Sequence, residues 1–337
     1  MKKLKIVLGV IGVILVIGGG FYKIKENQAI RAIKTQNKQV SNRINQDKPI
    51  SFLLLGADTG SDGRVDRGLS DSMMVVTLNP KTKKTLVYSI PRDSLAEMVG
   101  SKTKNVQKIN AAYELGQARM AKKTVSEFIG VPIDYSVTID MGALKELVDF
   151  VDGVDVKTNI DVSFDGQTIK KGRHHLNGKQ ALVYTRMRYQ DPRGDYGRQL
   201  RQQEVLRGVA DKIQKPQYLV HLSGLMTKLG KHISTDLTAD QTKTLIENYH
   251  QCGTDITSGQ IIGKEAWING SSYQVIATDK LQATSNKLRE SLGLQTKTLS
   301  NTETELNQLN TAFFKDNTNK TFNTDGLNTT YYSDNTY

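Results

Sequence analysis

The chain has 337 residues and a net charge of +12, with 46 Lys and Arg against 34 Asp and Glu. That length holds one large domain or two ordinary ones, and the basic balance points to a partner rich in phosphate or carboxylate. The one cysteine, Cys252, excludes an intramolecular disulfide and a thiol-rich metal motif.

Nucleic acid is the usual partner of a basic chain, but the amino terminus argues otherwise. After three lysines in five residues comes the uncharged run IVLGVIGVILVIGGGFY, Ile6–Tyr22. Seventeen helical residues reach roughly 26 Å, near the lower limit for crossing a bilayer. A cleaved signal peptide shares this pattern, but no A-x-A-like site follows the run, which favours a retained signal anchor. Lys2, Lys3 and Lys5 favour an internal amino terminus, although Lys23 and Lys25 flank the other side. The expected order is a cytoplasmic stub (1–5), a transmembrane anchor (6–22) and a polar, partly helical stalk (23–48). The body then lies outside the cytoplasm, where a basic protein meets lipid headgroups and wall polymers.

ISFLLLGAD (50–58) reads as a buried strand ending at an acid. SMMVVTL and KTLVYSI flank NPKTKK, a strand–turn–strand signal. A helix is expected over 109–130, stopped by Gly130, followed by a strand at IDYSVTI. Asp140 is placed to cap the helix MGALKELVDFV. Asp-Gly in VSFDGQTI predicts a tight hairpin, and a second long helix is expected over 197–214, ending before Pro216. Strands interleaved with helices indicate an α/β layered domain, taken as 49–285. Gln295 to Tyr337 holds 19 Asn or Thr in 43 residues with no sustained apolar period, so 286–337 is expected to be a disordered polar tail.

The segment YTRMRYQDPRGDYGRQLRQQ (184–203) carries five arginines. If Val183–Arg188 is extended, Arg186 and Arg188 share one face about 6.5–7 Å apart, a spacing that suits two linked phosphates gripped by planar forks. In the following helix, Leu206, Val209, Ala210 and Ile213 form an inward stripe that extends back to Gln202 and Arg198. A buried arginine needs a partner, and one at a helix start opposes the macrodipole unless an anion sits there. Arg201, one step round, faces either cleft or surface and is counted among the candidate pyrophosphate-binding residues. Asp191 and Asp195 are alternative salt-bridge partners for these arginines. Asp58, Asp71 and Asp93 lie beside expected strand ends. Of these, Asp58 and Asp71 are the candidates for Mg²⁺, which takes one or two carboxylates plus phosphate oxygens.

FLLLGADTG, DRGLSDSMMVVTLNP, SIPRDS, KINAAYELG, DGVDV and LNGKQALVYTRMR followed by GDYGRQLRQQ closely resemble the LytR-CpsA-Psr family in its streptococcal-like LytR form, over roughly 48–280 and in the family's order. The resemblance implies an extracytoplasmic α/β/α domain with a central mixed sheet and an apolar pocket for a prenyl chain. It implies a transferase of Gram-positive-type envelopes, moving an anionic glycopolymer (teichoic acid or capsule) from an undecaprenyl-pyrophosphate carrier to a peptidoglycan hydroxyl with Mg²⁺, or Mn²⁺ in its place. By position, Asp58 and Asp71 resemble the metal-site acids. Arg92, Arg186, Arg188 and Arg198 resemble the pyrophosphate clamp, with Gln202 and Lys108 near it. Asp195 matches a position tied to activity. Where many members carry an arginine two residues before the acid of the Ser-Asp motif, this chain has Leu69, so Arg64 or Arg67 is the expected substitute.

The chemistry implied is attack by a sugar hydroxyl on the phosphorus nearer the glycan, with prenyl phosphate leaving. Asp93 and Asp71 are the candidate bases, beside the option of no dedicated base; His174 and His175 are expected in a loop. Three rivals stand against transfer: hydrolysis of the lipid pyrophosphate, non-catalytic binding of a wall polymer, and transcriptional attenuation. The last is weakest, because only about five residues precede the apolar run.

Overall fold

Alternation of side chains makes both faces of the central sheet apolar, so each face needs a helical layer. The computed structural model describes residues 43–44, 46–57, 69–213, 215–219, 225, 229, 232–249, 251–252 and 255–329. The expected anchor at 6–22, Asp58, Arg64 and Arg67 lie outside the described residues. Among the described residues, no helix is long and apolar enough to cross a membrane.

In chain order the first elements are β1 (Ile50–Ala57), β2 (Ser70–Asn79), β3 (Lys84–Ile90), β4 (Leu95–Glu97), β5 (Val106–Lys108), α1 (Ala111–Ile129), β6 (Tyr135–Asp140) and α2 (Met141–Phe150). Then come β7 (Val154–Thr158), β8 (Val162–Phe164), β9 (Gln167–Ile169), β10 (Gly172–Leu176), α3 (Gly178–Arg186) and α4 (Asp195–Ile213). The carboxyl-terminal part has β11 (Ile233–Thr235), α5 (Ala239–Tyr249), β12 (Asp255–Gln260), β13 (Lys264–Ile268), β14 (Ser271–Val275), α6 (Thr278–Ser291), α7 (Thr302–Leu309) and α8 (Thr311–Lys315).

The six-stranded sheet runs β11-β6-β1-β2-β3-β12. β1 pairs antiparallel with β2 and parallel with β6, and β3 pairs parallel with β12, so the sheet is mixed. Phe52, Met74, Val76 and Tyr135 face a core shared with α2, α3 and α4. Leu53, Leu55, Met73 and Val75 face the opposite core, beneath α1 and α6. The result is the α/β/α layering expected. Ile44 is fully buried in the first core and Arg43 pairs with Asp134, so the chain ahead of β1 is already attached.

The local signals act through identifiable bonds. Asp140 caps α2 by accepting from Ala143 N at 2.9 Å. Gly130 ends α1 in the left-handed conformation, φ 62°. Asp165 and Gly166, both at positive φ, turn the β8–β9 hairpin. The helix expected over 109–130 is less regular than its sequence suggests. It breaks at Gly116–Gln117, where a Cβ on Gly116 would stand 2.5 Å from Met120 Cβ.

Two expectations fail. Val183–Arg188 is not a strand: Gly178–Arg186 is α3, started by a capping box between Asn177 and Gln180. That local signal overrides a six-residue alternation. The disordered tail is the second failure, because residues through 329 pack. Leu306, Phe313 and Phe322 join Leu95, Val106, Ile268 and Tyr273 in a third core. Asn and Thr are structural here. Asn301 caps α7 and donates to Glu127 O, Asn307 donates to Ile276 O, and Asn310 donates to Asn323 O. A few anchors in polar sequence suffice when each amide finds a buried carbonyl.

Glu303 docks this tail: its Oε1 accepts from Glu97 N at 2.7 Å, while Thr302 Oγ1 donates to the Glu97 carboxylate. Burial, with the charges of Glu97 and Glu127 adding to it, raises Glu303 from its ordinary 4.5 to about 7. A folded-state value above the unfolded one means that this stabilisation is complete below pH 4.5 and is lost as pH rises through about 7. Urea unfolding followed between those pH values is expected to show stability falling with pH, and Glu303→Gln to flatten that slope. Phe313→Ala is expected to lower stability by about 3 kcal/mol by the same measurement.

Candidate active site

The carboxyl ends of β1, β3 and β6 share one edge of the sheet, the usual place for a site in α/β proteins. Asp71 stands at the start of antiparallel β2, Arg92 and Asp93 just past the end of β3, and Lys108 at the end of β5. The first turns of α4 bring Asp195, Arg198 and Gln202 to the same edge.

These side chains form one ion-pair network. Arg92 bonds the Asp71 carboxylate through Nη1, and its Nε lies 3.8 Å from Asp93 and 3.9 Å from Asp195. Arg198 Nη2 is 2.6 Å from Asp195 Oδ1 and donates to Asp71 O at 2.9 Å. Asp93 also faces Arg188 at 3.4 Å and Lys108 at 3.7 Å. Of the two candidate bases, Asp93 is thus ringed by three cations and Asp71 is held by Arg92.

Burial works against the charge on Arg92, but the three surrounding carboxylates outweigh it and raise its pKa. Arg198 differs: burial lowers its pKa, and although Asp195 and Asp71 pull it up, repulsion from Arg92 and Arg188 adds to the burial and the net shift is downward. An added anion beside Arg198 therefore gains. Among the described residues Arg92 Nε, Arg198 Nε and Gln202 Oε1 are buried without a hydrogen-bond partner, and Asp195 Oδ1 has ion-pair contacts with Arg198 and Arg92 but no aligned hydrogen bond. Buried polar atoms at a concave site are where ligand atoms complete the bonding.

Arg186 and Arg188 are not two teeth of one strand. Arg186 ends α3 with its guanidinium 4.7 Å from the centre of the Phe164 ring. Met187 then turns the chain, φ −58° and ψ 133°, and Arg188 points to Asp93. The helix register does carry Arg198 and Gln202 inward, as the stripe predicts. Arg201 turns to neither cleft nor surface. It is buried, donating through Nε to Tyr184 O and through Nη groups to Met187 O and the Asp191 carboxylate. Arg193 grips the same carboxylate at 2.9 and 3.0 Å. Burial pushes Asp191 up, but these arginine bonds outweigh it and hold it at about 2. Arg201 is therefore a brace of the α3–α4 connection rather than part of the clamp. His174 and His175 lie on β10 and bond Lys170 O, Asp152 O and Asp155, away from the network.

Sequence reasoning missed Gln199. It is buried, donates to Asp195 Oδ2 at 3.0 Å, and itself accepts from Gln260 at 3.1 Å, so it sets the orientation of Asp195. The i, i+4 spacing of Asp195 and Gln199 was the available signal.

An apolar cleft of about 750 Å³ opens beside the network. Leu54, Met74, Ile139, Leu144 and Leu206 line it, with Thr185 and Gln202 on the side of the arginines. Beneath α4 a smaller recess sharing Leu54, Met74 and Leu206 continues toward Val87 and Ile256. A long apolar chain with an anionic head fits this shape and charge order.

The model described as the LytR_cpsA_psr family matches residues 20–290, most of the chain. The chain belongs to the LytR-CpsA-Psr family. A curated member from Bacillus anthracis, polyisoprenyl-teichoic acid–peptidoglycan teichoic acid transferase TagU, is 39% identical over 297 residues, spanning 85% of this chain and 96% of its own length. A solved Streptococcus agalactiae protein superposes with a TM-score of 0.72 at 35% identity, covering 79% of this chain and 94% of that one. A structure of TagT bound to LI-WTA, a wall-teichoic-acid ligand, has a TM-score of 0.60 at 28% identity, covering 74% and 92%.

Among the described residues no three His, Cys, Asp or Glu side chains converge on a metal-sized site. Asp71, a hard oxygen donor at the cleft mouth, still fits a cation that draws its other ligands from phosphate and water, the habit of Mg²⁺.

The distinction between clamp and brace is measurable. Asp191→Asn strips the charge that compensates buried Arg201 and is expected to cost about 3–5 kcal/mol in thermal or urea unfolding. Arg201→Lys is expected to destabilise too, because an ammonium cannot make the three-way fork. Arg198→Lys is expected to leave the unfolding midpoint near that of the parent while weakening binding of a prenyl pyrophosphate.

Proposed function

We propose that the protein is a membrane-anchored, extracytoplasmic phosphotransferase of the cell envelope, moving an anionic glycopolymer from a polyprenyl-pyrophosphate carrier to a peptidoglycan hydroxyl. The observation that carries the reading is the buried arginine network, with unfilled Nε donors on Arg92 and Arg198, at the mouth of an apolar cleft. The transferase named among its relatives and the wall-teichoic-acid ligand of TagT support the substrate class. The apolar run at 6–22 supports the anchor.

In this reaction the acceptor hydroxyl attacks the phosphorus attached to the glycan. A phosphodiester forms, the bond from that phosphorus to the bridging oxygen breaks, and prenyl phosphate leaves with the electron pair. The hydroxyl proton passes to solvent or to a carboxylate at the site. Arg92, Arg186, Arg188 and Arg198 hold the pyrophosphate oxygens and align them; Lys108 adds charge from β5. Such donors act mainly by orientation and by neutralising charge spread over the oxygens, each contributing about 3–4 kcal/mol in the transition state. Asp58 and Asp71 would hold Mg²⁺ together with phosphate oxygens, and the ion would supply further charge neutralisation. Gln199 and Arg201 act behind the site, by fixing Asp195 and the end of α3.

The test uses the full-length protein in detergent with a labelled lipid-pyrophosphate glycan and peptidoglycan oligomers, with and without Mg²⁺. A phosphodiester-linked product is expected; free sugar phosphate alone would make the protein a hydrolase, and no turnover with retained binding would make it a polymer binder. Arg188→Lys and Arg186→Lys are each expected to slow transfer at least about tenfold, or 1.4 kcal/mol, because lysine loses the planar fork. Asp71→Asn is expected to raise the Mg²⁺ concentration needed for half-maximal rate. Near-parental rates for both lysine variants would remove these two arginines from the clamp.

A further inference from the structure

A second recess, of about 890 Å³, opens beside Lys108. β5 and the start of α1 supply Gln107, Lys108 and Asn110; the β13–β14 turn supplies Asn269 and Ser271; Thr329 of the tail completes it. Its chemistry differs from that of the arginine network. Lys108 is the one charged side chain in its lining, and that ammonium already faces Asp93 and lies 5.4 Å from the centre of the Tyr273 ring. The rest is amide, hydroxyl and aliphatic surface.

One lining group is unfinished. Asn110 is 3% exposed and its Oδ1 accepts no hydrogen bond among the described residues. Its side chain does not cap α1 either. A buried carbonyl of this kind asks for a donor, and a neutral hydroxyl or amide N–H supplies one without the cost of burying a charge. An anionic polymer would find one engaged lysine here, against several arginines a few ångströms away.

Placement sharpens the assignment. Gln202 lines the apolar cleft and sits one turn beyond Arg198, while Lys108 lines this recess and faces Asp93. The network Arg198–Asp195–Arg92–Asp93 links the two. Displacement at phosphorus needs the attacking and leaving oxygens roughly in line, so an acceptor must approach from the side away from the lipid. Leu69, at the position where the family often carries arginine, also lines the recess and keeps it free of another cation.

We infer that this recess is the acceptor subsite, taking the neutral, hydroxyl- and acetamido-bearing glycan strand onto which the polymer is transferred. The inference rests on the transferase reading above and adds where its second substrate binds. Thr329 contributes to the lining and bonds Asn269 Nδ2, and Val106 N donates to Asn328 O at 3.0 Å, so the packed tail holds this wall in place. The family match ends at 290, so of the lining residues Thr329 alone lies beyond it.

The test is equilibrium binding to the full-length protein of chitotetraose, a neutral N-acetylglucosamine tetramer, beside farnesyl pyrophosphate as a probe of the clamp. Saturable chitotetraose binding is expected, weakened at least tenfold by Ser271→Trp, which fills the recess, and by Asn110→Ala, which removes the unpaired carbonyl. Farnesyl pyrophosphate affinity is expected to change less than twofold in both variants, which also reports correct folding. No saturable binding to the parent, binding unmoved by both variants, or displacement of the tetramer by a glycerol-phosphate oligomer would overturn the assignment. The two readings fail separately. Glycan binding that follows these variants in a protein forming no phosphodiester would sink the transferase reading and leave the subsite standing. Transfer with an acceptor KM unchanged by either variant would do the reverse.

Discussion

Arg198 is a guanidinium forced inward by the register of its own helix. The stripe that buries Val205, Val209 and Ile213 against the sheet carries Arg198 to the same side, where it meets Asp195 and the carbonyl of Asp71. A buried cation with an unpaired Nε is stable only in company, and the other members of the site follow from that need. Asp195 compensates it, Gln199 and Gln260 hold Asp195, and Arg92 draws Asp71, Asp93 and Asp195 into one network. Such an arrangement is already aligned before a ligand arrives, which is how fixed donors favour a transition state over water.

Placing that network at the mouth of an apolar cleft separates two tasks. In the proposed reaction the cleft offers dispersion and area burial to a hydrocarbon chain, which hold it without specifying where its head lies. In that proposal the arginines specify the head. Their work depends on the α3–α4 connection keeping its shape, and here the second arginine pair matters. Arg201 and Arg193 close on Asp191, so the loop that presents Arg188 is braced from within. Arginines close in sequence thus have unlike roles, set by which carboxylate each one reaches.

The tail extends the same logic to the opposite side. Its helices bury Leu306 and Phe313 against β4, β5 and the β13–β14 hairpin, and that packing builds the wall of the neutral recess beside Lys108. In the proposed transfer, a charged centre, an apolar flank and a polar uncharged flank order three chemically different parts of one reaction.

Sequence by itself determined the strands β1 to β3, the capped helix after Asp140, the hairpin at Asp165–Gly166 and the inward face of α4, because each is written in short-range periodicity or a turn residue. It also marked Arg198 and Gln202, since helical register is a local property. The conformation around Arg186 was local as well, but alternation over six residues was read where the Asn177–Gln180 capping box decided. Tertiary structure alone decided the rest. Whether Arg201 serves the cleft depends on Asp191 and two carbonyls of another segment. Whether an Asn- and Thr-rich tail folds depends on carbonyls at Glu127, Ile276 and Asn323 that composition does not reveal. Hydrogen-bond partners far apart in sequence have no period, so only the folded chain can assign them.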